Sequence, residues 1–524
     1  MARATSLATL LFGLGLGLGL GLVACAEEDA GVSSAPSPEG REHEPRPAAP
    51  TPGPDVPIDT SVVVAHDREL RGAWISTVYN GTWPSKTGLT AVAAKSELLA
   101  IFDALASARM NAVFFQVRAE SDAVYASTIE PWSRFLTGKQ GVDPGWDPLA
   151  FAVEEGHKRG LEVHAWMNPY RGLVSTQIEV ASSHVTKMLP SAARGYGSLV
   201  WMDPGVPEVR AHILDVVRDV VMRYDVDGVH FDDYFYPYPV AGQTFDDAAA
   251  YQAYTGAGGA LAKDDWRRSN VDALVRETSE VVMKTRASVR FGVSPFGIYR
   301  PGTPPGITGL DAYATLYCDP VRWMDEAWVD YLAPQLYWPT TQTAQAFGEL
   351  ATWWAGIAKA GRSIFVGHDA TKAGEGAFSL DEYDKQMKLV AAERARGARG
   401  SIFFSAKPLV EDRGGLRSAL AATHWATPAA TPPLALAALE PAGPAPKVRV
   451  APRAASVTLP AGARSLAVYR ERAGGAYAVE RIVGVGSPAP AGSEISVALD
   501  AGAWAISVID RRGVESRGAR ITVE

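Results

Sequence analysis

The sequence predicts an α/β fold, a (β/α)8 barrel, followed by a small all-β sandwich. Eight short apolar runs alternate with amphipathic helical stretches over roughly 350 residues, which is typical of a barrel. No glycine-rich phosphate loop follows the first run, which disfavours the competing fold, a doubly wound open sheet. The last part of the chain changes to short apolar runs separated by Gly, Pro and Ala, as expected for a sandwich.

The barrel elements follow from these runs in chain order. The predicted strands of this TIM barrel are Leu70–Ile75, Ala112–Val117, Leu161–Met167, Gly228–Phe231, Phe291–Ser294, Tyr331–Leu336, Ser363–Val366 and Ser401–Phe404. The predicted helices include Ala94–Ala108, Asp147–Arg159, Pro207–Tyr224 and Trp266–Thr285. Asp147 and Pro148 are a good helix start, with an N-cap carboxylate and a proline at the first helical position.

Three long segments follow the third, fourth and fifth predicted strands: Asn168–Gly205, Tyr234–Lys263 and Pro295–Cys318. Loops of this length in a compact domain are usually functional. In a barrel they lie at the face formed by the carboxyl ends of the strands, where active sites form.

Other regions precede and follow the barrel in the chain. We assign residues 1–24 to a lipoprotein signal peptide, 25–66 to a disordered tether, 67–426 to the barrel, 427–446 to a Pro/Ala-rich linker and 447–524 to the sandwich. The sandwich, which resembles fibronectin type III, is predicted from the runs Ser456–Leu459, Ser465–Tyr469, Glu494–Leu499 and Trp504–Ile509. Its predicted role is that of a spacer or packing module.

The amino terminus resembles a lipoprotein leader. Arg3 precedes an apolar run from Leu7 to Leu22, and Leu-Val-Ala then leads to Cys25. We predict export and lipidation at Cys25, which would hold the protein on a membrane. Ala26 follows where an inner-membrane retention signal usually has Asp, so we expect the outer membrane, facing the periplasm. The alternative is an uncleaved membrane anchor.

Composition excludes several functional classes. The net charge is −8 with acidic and basic residues well mixed, so we expect no nucleic-acid partner. Two cysteines cannot form a disulfide framework, and we expect Cys318 to be a buried thiol. We also expect no cofactor and a monomer.

The segment 226–237 carries the strongest chemical signal. The strand Gly228–Phe231 ends in Asp232 and Asp233, and aromatic residues follow. If Val229 and Phe231 face the helices, alternation points His230 and Asp232 into the barrel. A carboxylate at that end of a barrel strand is typical of catalysis, although adjacent aspartates also cap helices and hold loops.

Glycoside hydrolysis needs a carboxylic acid and a second carboxylate, and other strand ends supply candidates for the second. Glu120 is our first choice, followed by Asp233. The candidate catalytic residues are therefore Asp232, Asp233 and Glu120, and the sequence leaves their roles and separation open.

Further polar and aromatic residues gather at the ends of several strands. The candidate substrate-binding residues are Arg71, Trp74, Arg118, Asn168, Tyr170, Arg171, His230, Tyr234, Tyr236, Gln335, Tyr337 and Trp338. A guanidinium can bind a carboxylate through two parallel hydrogen bonds, such as the free lactyl carboxylate of N-acetylmuramic acid. Each arginine could instead form a structural ion pair, and His230 could be a packed core residue.

Several blocks of this sequence resemble the glycosyl-hydrolase-like-10 family, over about Glu69 to Trp425. The blocks are Arg71–Trp74, Phe115–Arg118, His164–Arg171, Asp227–Pro237, Gly292–Pro295 and Ala333–Pro339. The resemblance implies a barrel hydrolase that acts on cell-wall glycan, in particular on peptidoglycan strands stripped of their stem peptides. The tail lies beyond the resemblance.

Two alternatives remain. The Asp232-Asp233 pair also resembles the motif of polysaccharide deacetylases, but no two histidines lie three to five residues apart, so we expect no metal site. A glycan-binding protein without activity could also use this barrel.

Overall fold

The computed structural model describes residues 61–487 and 489–524. The predicted signal peptide, the lipidation site Cys25 and the tether up to residue 60 lie outside the described residues. No helix in the described part is long and apolar enough to cross a membrane.

Eight parallel strands close into a barrel, which confirms the predicted fold. The strands are β1 (Leu70–Ile75), β2 (Ala112–Arg118), β3 (Glu162–Met167), β4 (Gly228–Phe231), β5 (Arg290–Val293), β6 (Tyr331–Leu332), β7 (Ser363–Asp369) and β8 (Ala398–Phe404). Each strand pairs with the next in sequence, and β8 closes the barrel on β1 with Ser401 opposite Arg71. We call the face formed by the carboxyl ends of these strands the mouth.

Two strands differ from their predicted bounds in a way that matters for the site. β7 continues beyond the predicted end at Val366 to Asp369, which brings a carboxylate to the mouth. β6 ends at Leu332 instead of Leu336, and the chain beyond it keeps only isolated bridges from Gln335 to Phe296 and Gly367.

Helices surround the barrel. The α-helices are Ala91–Ser107, Arg134–Thr137, Pro148–Lys158, Val185–Met188, Pro207–Arg223, Ala248–Gly256, Lys263–Thr285, Ala312–Thr315, Pro320–Asp325, Phe347–Gly356, Leu380–Ala392, Ala406–Val410 and Leu416–Ala422. The predicted N-cap is confirmed, since the Asp147 side chain accepts a hydrogen bond of 3.0 Å from the Ala150 amide. The long segment after β3 holds a small antiparallel sheet of Arg171–Leu173, Leu199–Met202 and Ala193–Tyr196.

Side chains alternate along the strands between the barrel interior and the helical layer. The interior cluster consists of Leu70, Trp74, Ala112, Phe114, Trp166, Tyr331, Ala333, Phe365 and Ile402. Neighbouring residues such as Ala73, Phe115 and Phe231 pack outward against the helices. This alternation decides which residues at the strand ends reach the mouth.

A chain of hydrogen bonds satisfies the polar groups inside the barrel. Trp74 Nε1 donates to His230 Nε2 at 3.1 Å, and His230 Nδ1 lies 3.0 Å from the Tyr331 hydroxyl. The same hydroxyl lies 3.0 Å from His164 Nδ1, and His164 Nε2 lies 3.2 Å from Glu162. Because an indole N–H only donates, His230 Nε2 is the acceptor in the first of these bonds.

Two antiparallel sheets form the all-β region that follows the barrel. One sheet orders the strands Ser61–Val62, Gly518–Val523, Gly502–Asp510, Ala463–Glu471 and Tyr477–Gly484, and the other contains Lys447–Ala451, Ala454–Thr458 and Glu494–Ala498. Both sheets contribute to one apolar core that includes Val457, Leu466 and Trp504. Ser61 and Val62, which we assigned to the tether, form an edge strand of this sheet instead, because they pair with Ala519 and Gly518.

The sandwich packs against the amino-terminal face of the barrel, opposite the mouth. Asp225, just before β4, lies 2.7 Å from Arg511 and 3.4 Å from Arg464, both in the sandwich. Arg464 also lies 2.8 Å from Asp227. Ion pairs between domains therefore join the sandwich to this face.

The predicted linker runs along the same face as an ordered segment. Arg71 donates to the carbonyl of Thr427 at 2.8 Å, and Arg290 donates to that of Pro432 at 2.6 Å. Ala429 and Ala430 in this segment are buried.

Candidate active site

Asp232 stands at the carboxyl end of β4 and faces the barrel axis, as strand alternation predicts. Its neighbour on the same face, His230, bonds with Trp74 inside the barrel. Asp232 Oδ2 accepts hydrogen bonds from Asn168 Nδ2 at 2.8 Å and from Trp166 Nε1 at 3.2 Å. Two strands therefore fix this carboxylate: β3 through Trp166 and through Asn168, which follows its last residue, and β4 through its own backbone.

Asn168 connects Asp232 to two further polar side chains. Its carbonyl oxygen accepts from Gln116 Nε2 at 2.7 Å and from Arg171 Nη2 at 2.8 Å. Both partners are donors here, so the amide nitrogen of Asn168 must point at Asp232. The orientation of Asn168 is thus determined by its surroundings.

Arg171 lies beside this network at the mouth. Its Nε donates to the carbonyl of Ala119 at 2.7 Å, and its Nη1 donates to the Tyr234 hydroxyl at 3.1 Å. Its guanidinium also lies over the Tyr234 ring, 5.4 Å from the centroid. These bonds leave part of the five-donor fork of Arg171 for a ligand.

Asp233 differs from Asp232 in both direction and environment. Its Oδ2 accepts a hydrogen bond from the Tyr238 hydroxyl. Burial, together with the neighbouring Asp232 charge, raises the pKa of Asp233 well above its usual range. Asp233 therefore holds a proton at pH values where an ordinary aspartate is charged.

An aromatic wall lines the side of the mouth formed by β6 and β8. The rings of Tyr337 and Phe404 stack with centroids 6.1 Å apart, and Trp338 contacts Phe296 edge-on at 5.7 Å. Gln335 Nε2 donates to the carbonyl of Ser294 at 3.1 Å and reaches to 3.5 Å from Asp232 Oδ1. The wall therefore begins next to the carboxylate.

Asp369 is a second carboxylate at the mouth, at the end of β7. His368 points outward, because its Nδ1 bonds with Gln386 of the helix Leu380–Ala392, so Asp369 faces inward. Asp369 Oδ1 accepts from the Thr371 amide at 2.9 Å, and Oδ2 lies 3.0 Å from Lys372 Nζ. Burial and the charges of Asp369 and Asp232 raise the pKa of Tyr337, as expected for a ring close to both carboxylates.

Glu120 is fully buried, and both of its carboxylate oxygens have partners. Oε2 accepts from Arg134 Nε at 2.9 Å, and Oε1 accepts from the Val174 amide at 2.7 Å. Burial and the nearby Asp122 raise its pKa. In this arrangement Glu120 holds Arg134 and the loop after β3 in place.

Four predicted binding residues lie outside the mouth, and these assignments are corrected. Arg71 is the second residue of β1, faces outward and pairs with Glu69 at 2.8 Å. Arg118 forms an ion pair with Glu130 at 2.6 Å and donates to the carbonyls of Asn168 and Pro169, so its donors are occupied. Tyr170 and Tyr236 are buried with the outer core, so their rings pack instead of binding.

His230 and Trp74 lie beneath the mouth inside the barrel. Burial, together with the charge of His164, lowers the pKa of His230, which is therefore a neutral hydrogen-bonding residue at physiological pH. Both side chains are buried, so they support the floor of the site.

Sequence reasoning missed four residues at the site: Trp166, Gln116, Tyr238 and Asp369. Strand alternation could have identified three of them. Gln116 and Trp166 lie on inward-facing positions of quoted blocks, and counting two more inward positions from Phe365 along β7 reaches Asp369. Tyr238 lies in a loop, where no periodicity applies.

No group of three or more His, Cys, Asp or Glu side chains in the described residues is placed to hold a metal ion. Cys318 is buried among apolar residues, and burial raises the pKa of its thiol well above the usual value.

Known proteins of similar sequence identify the family. The family model described as Glycosyl hydrolase-like 10 matches residues 69–383. The chain is 40% identical to the glycosyl hydrolase YngK of Bacillus subtilis (strain 168), over 70% of this chain and 74% of that protein. It is 39% identical to the glycosyl hydrolase DigH of Escherichia coli (strain K12), over 58% of this chain and 74% of that protein.

Among solved structures, the catalytic domain of β-amylase from Paenibacillus polymyxa matches with a TM-score of 0.46 and 13% identity, covering 70% of this chain and all of that one (100%). The family match and the two relatives carry the assignment: this chain is a glycoside hydrolase that belongs to the glycosyl hydrolase-like 10 family.

Proposed function

We propose that the protein hydrolyses the glycan of peptidoglycan, and that it prefers strands from which the stem peptides have been removed. The observation that carries this proposal is the position of Arg171, which shares Asn168 with the inward carboxylate Asp232. A cation therefore lies next to the reacting centre, where an anionic group of the sugar would be bound.

The lactyl group of N-acetylmuramic acid supplies such an anion only when no peptide is attached. A stem peptide converts the carboxylate into an amide, which removes the charge and adds bulk. The spare donors of Arg171 pair well with a carboxylate, because charge-assisted hydrogen bonds are stronger than neutral ones. The preference for peptide-free strands follows from this difference.

The chemistry in this proposal uses two inward carboxylates, Asp232 at β4 and Asp369 at β7. One donates a proton to the leaving oxygen, and the other acts on the anomeric carbon directly or through water. Asp233 serves Asp232 indirectly: it donates its backbone amide to Asp232 Oδ1 at 3.0 Å, and its raised pKa favours the protonated form, which places no second negative charge beside Asp232.

We further propose that the mature protein is exported and lipid-anchored at Cys25 in the outer membrane, facing the periplasm. The support for this location is the Leu-Val-Ala-Cys sequence after the apolar run and Ala26 after the cysteine.

The decisive experiment incubates the purified protein with amidase-treated glycan strands and identifies the products by mass spectrometry. New reducing ends are expected for hydrolysis, while anhydro ends would identify a lytic transglycosylase instead. Loss of acetyl groups without shorter chains would indicate a deacetylase. Strands that stay uncut, while another glycan is cleaved, would refute the proposed substrate.

A further inference from the structure

The loop after β1 presents an exposed tyrosine on an unusual backbone. Tyr79 is 56% exposed, and both Tyr79 (φ 55°) and Asn80 (φ 53°) adopt the left-handed region that non-glycine residues rarely use. A single exposed aromatic residue is common on protein surfaces. Two consecutive left-handed residues that hold it out are uncommon, and such conformations cluster at ligand-binding sites.

The same loop is fastened to the hydrogen-bond network of Asp232. Gln116 Oε1 accepts from the backbone amides of Thr77 at 2.8 Å and Val78 at 2.9 Å. The other end of this amide, Gln116 Nε2, donates to Asn168, which in turn donates to Asp232. The position of the tyrosine loop is therefore fixed relative to the inward carboxylate.

A basic side chain lies beside Tyr79. The Tyr79 ring contacts Phe135 edge-on with centroids 6.1 Å apart, and Arg134 lies over the Phe135 ring at 4.3 Å from its centroid. Asn80 Nδ2 donates to the carbonyl of Phe135 at 2.9 Å, which links the tyrosine loop to the helix Arg134–Thr137. Glu120 accepts from Arg134 Nε at 2.9 Å, but within the described residues Arg134 Nη1 has no hydrogen-bond partner.

We propose that Tyr79 and Arg134 form an outer subsite that binds a pyranose ring bearing a carboxylate. The flat ring of Tyr79 would cover the C–H face of the sugar, and Arg134 would pair with the carboxylate at its edge. This inference rests on the proposed function and adds to it a second sugar of the strand, bound beyond the one at Arg171. It also gives the buried carboxylate of Glu120 a role, which is to position Arg134.

The subsite is tested by binding, which does not depend on turnover. In an Asp232→Asn background, isothermal titration calorimetry measures the Kd for peptide-free peptidoglycan oligosaccharides. Tyr79→Trp and Tyr79→Phe should keep the wild-type Kd, whereas Tyr79→Leu should raise it about three- to tenfold, the usual range for an aromatic contact. Tyr477→Leu in the sandwich is the control and should leave the Kd unchanged.

The pairing of Arg134 with a carboxylate of the sugar is tested by changing the ligand. Arg134→Gln should weaken binding of peptidoglycan oligosaccharides but leave binding of chitin oligosaccharides of equal length, which carry no carboxylate, unaffected. Equal Kd values for Tyr79→Leu and its parent would overturn the aromatic contact, and equal losses on both ligands in Arg134→Gln would overturn the pairing with a carboxylate. If the wild type binds these strands at the subsite but cuts none of them, the proposed function fails while the subsite stands.

Discussion

Asn168 donates its side-chain amide to Asp232 over 2.8 Å, and this bond fixes the carboxylate that ends β4. The same asparagine accepts from Arg171, so the carboxylate and the cation to which we assign catalysis and substrate binding share one positioning residue. Catalytic groups gain most from being held in place before the substrate arrives. Single substitutions around this bond separate the contributions of its residues.

Asp232→Asn should lower kcat by about two to four orders of magnitude, because it removes a proton-transferring or nucleophilic carboxylate. The rate is measured as release of reducing ends from peptide-free strands. Asp246→Asn, an exposed residue in the same loop, is the control. Retention of most activity in a folded Asp232→Asn protein would assign the chemistry to another residue.

Asp369→Asn should cause a loss of similar size, about two to four orders of magnitude, if β7 supplies the second carboxylate. Azide offers a stringent readout, since a small anion can replace a missing nucleophile or base. Turnover of Asp369→Ala that azide restores, with a glycosyl azide as product, would assign the position directly. Glu375→Gln, exposed on the same loop, should match the wild type, and an Asp369→Asn protein as active as this control would contradict the assignment.

Asp233→Asn should keep most of the activity, because a neutral amide resembles the protonated carboxyl that the raised pKa of Asp233 favours, and its backbone amide still serves Asp232. Its raised pKa also has a consequence for stability. The folded state binds the proton of Asp233 more tightly than the unfolded state, so its contribution to stability is complete below about pH 3.8 and is lost as the pH rises through the folded pKa.

Asparagine carries no such proton. The free energy of unfolding of Asp233→Asn should therefore rise relative to that of the wild type as the pH increases above about 3.8. Urea unfolding at several pH values measures the difference. A difference that does not change with pH would mean that Asp233 is charged in the folded protein.

Strand alternation explains which site residues were predictable. It placed Asp232 in the mouth, and applied consistently it would have excluded Arg71, which neighbours the inward Leu70 on β1. It fails at Arg118, because the pairing of β2 with β3 shifts between Gln116 and Arg118. The sequence does not reveal such a bulge, so the ion pair of Arg118 with Glu130 could be seen only in the structure.

The aromatic residues after β4 show a second limit. Tyr234 and Tyr236 follow the same strand, yet Tyr234 contacts Arg171 while Tyr236 is buried beside Phe245 and Tyr317. Their directions are set by loop packing, which has no sequence period. The sandwich strands Lys447–Ala451 and Tyr477–Gly484 were missed for a related reason, since most of their residues are only half-buried and their apolar pattern is weak.

Lipidation is tested with a fatty-acid probe fed to cells that express the full chain. The wild type should be labelled and recovered with membranes, and Cys25→Ser should lose the label because its side chain cannot form the thioether. Cys318→Ser, which removes the buried thiol, controls for nonspecific labelling. Equal labelling of the wild type and Cys25→Ser would refute the anchor.

Arg171→Ala should reduce the preference for peptide-free strands over intact sacculi. In the wild type, an amidated lactyl group leaves the Arg171 donors without an anionic partner, and an unpaired buried polar group costs about 1–3 kcal/mol, or roughly five- to 150-fold in rate. The variant lacks the guanidinium that pairs with the free carboxylate. Its rates on the two substrates should therefore converge, mainly through a slower reaction with peptide-free strands. Initial rates on sacculi with and without amidase treatment measure the ratio, and Arg276→Ala, exposed on the helix Lys263–Thr285, should keep the wild-type ratio. An unchanged ratio in Arg171→Ala would remove Arg171 from substrate selection, while equal wild-type rates on both substrates would remove the preference itself.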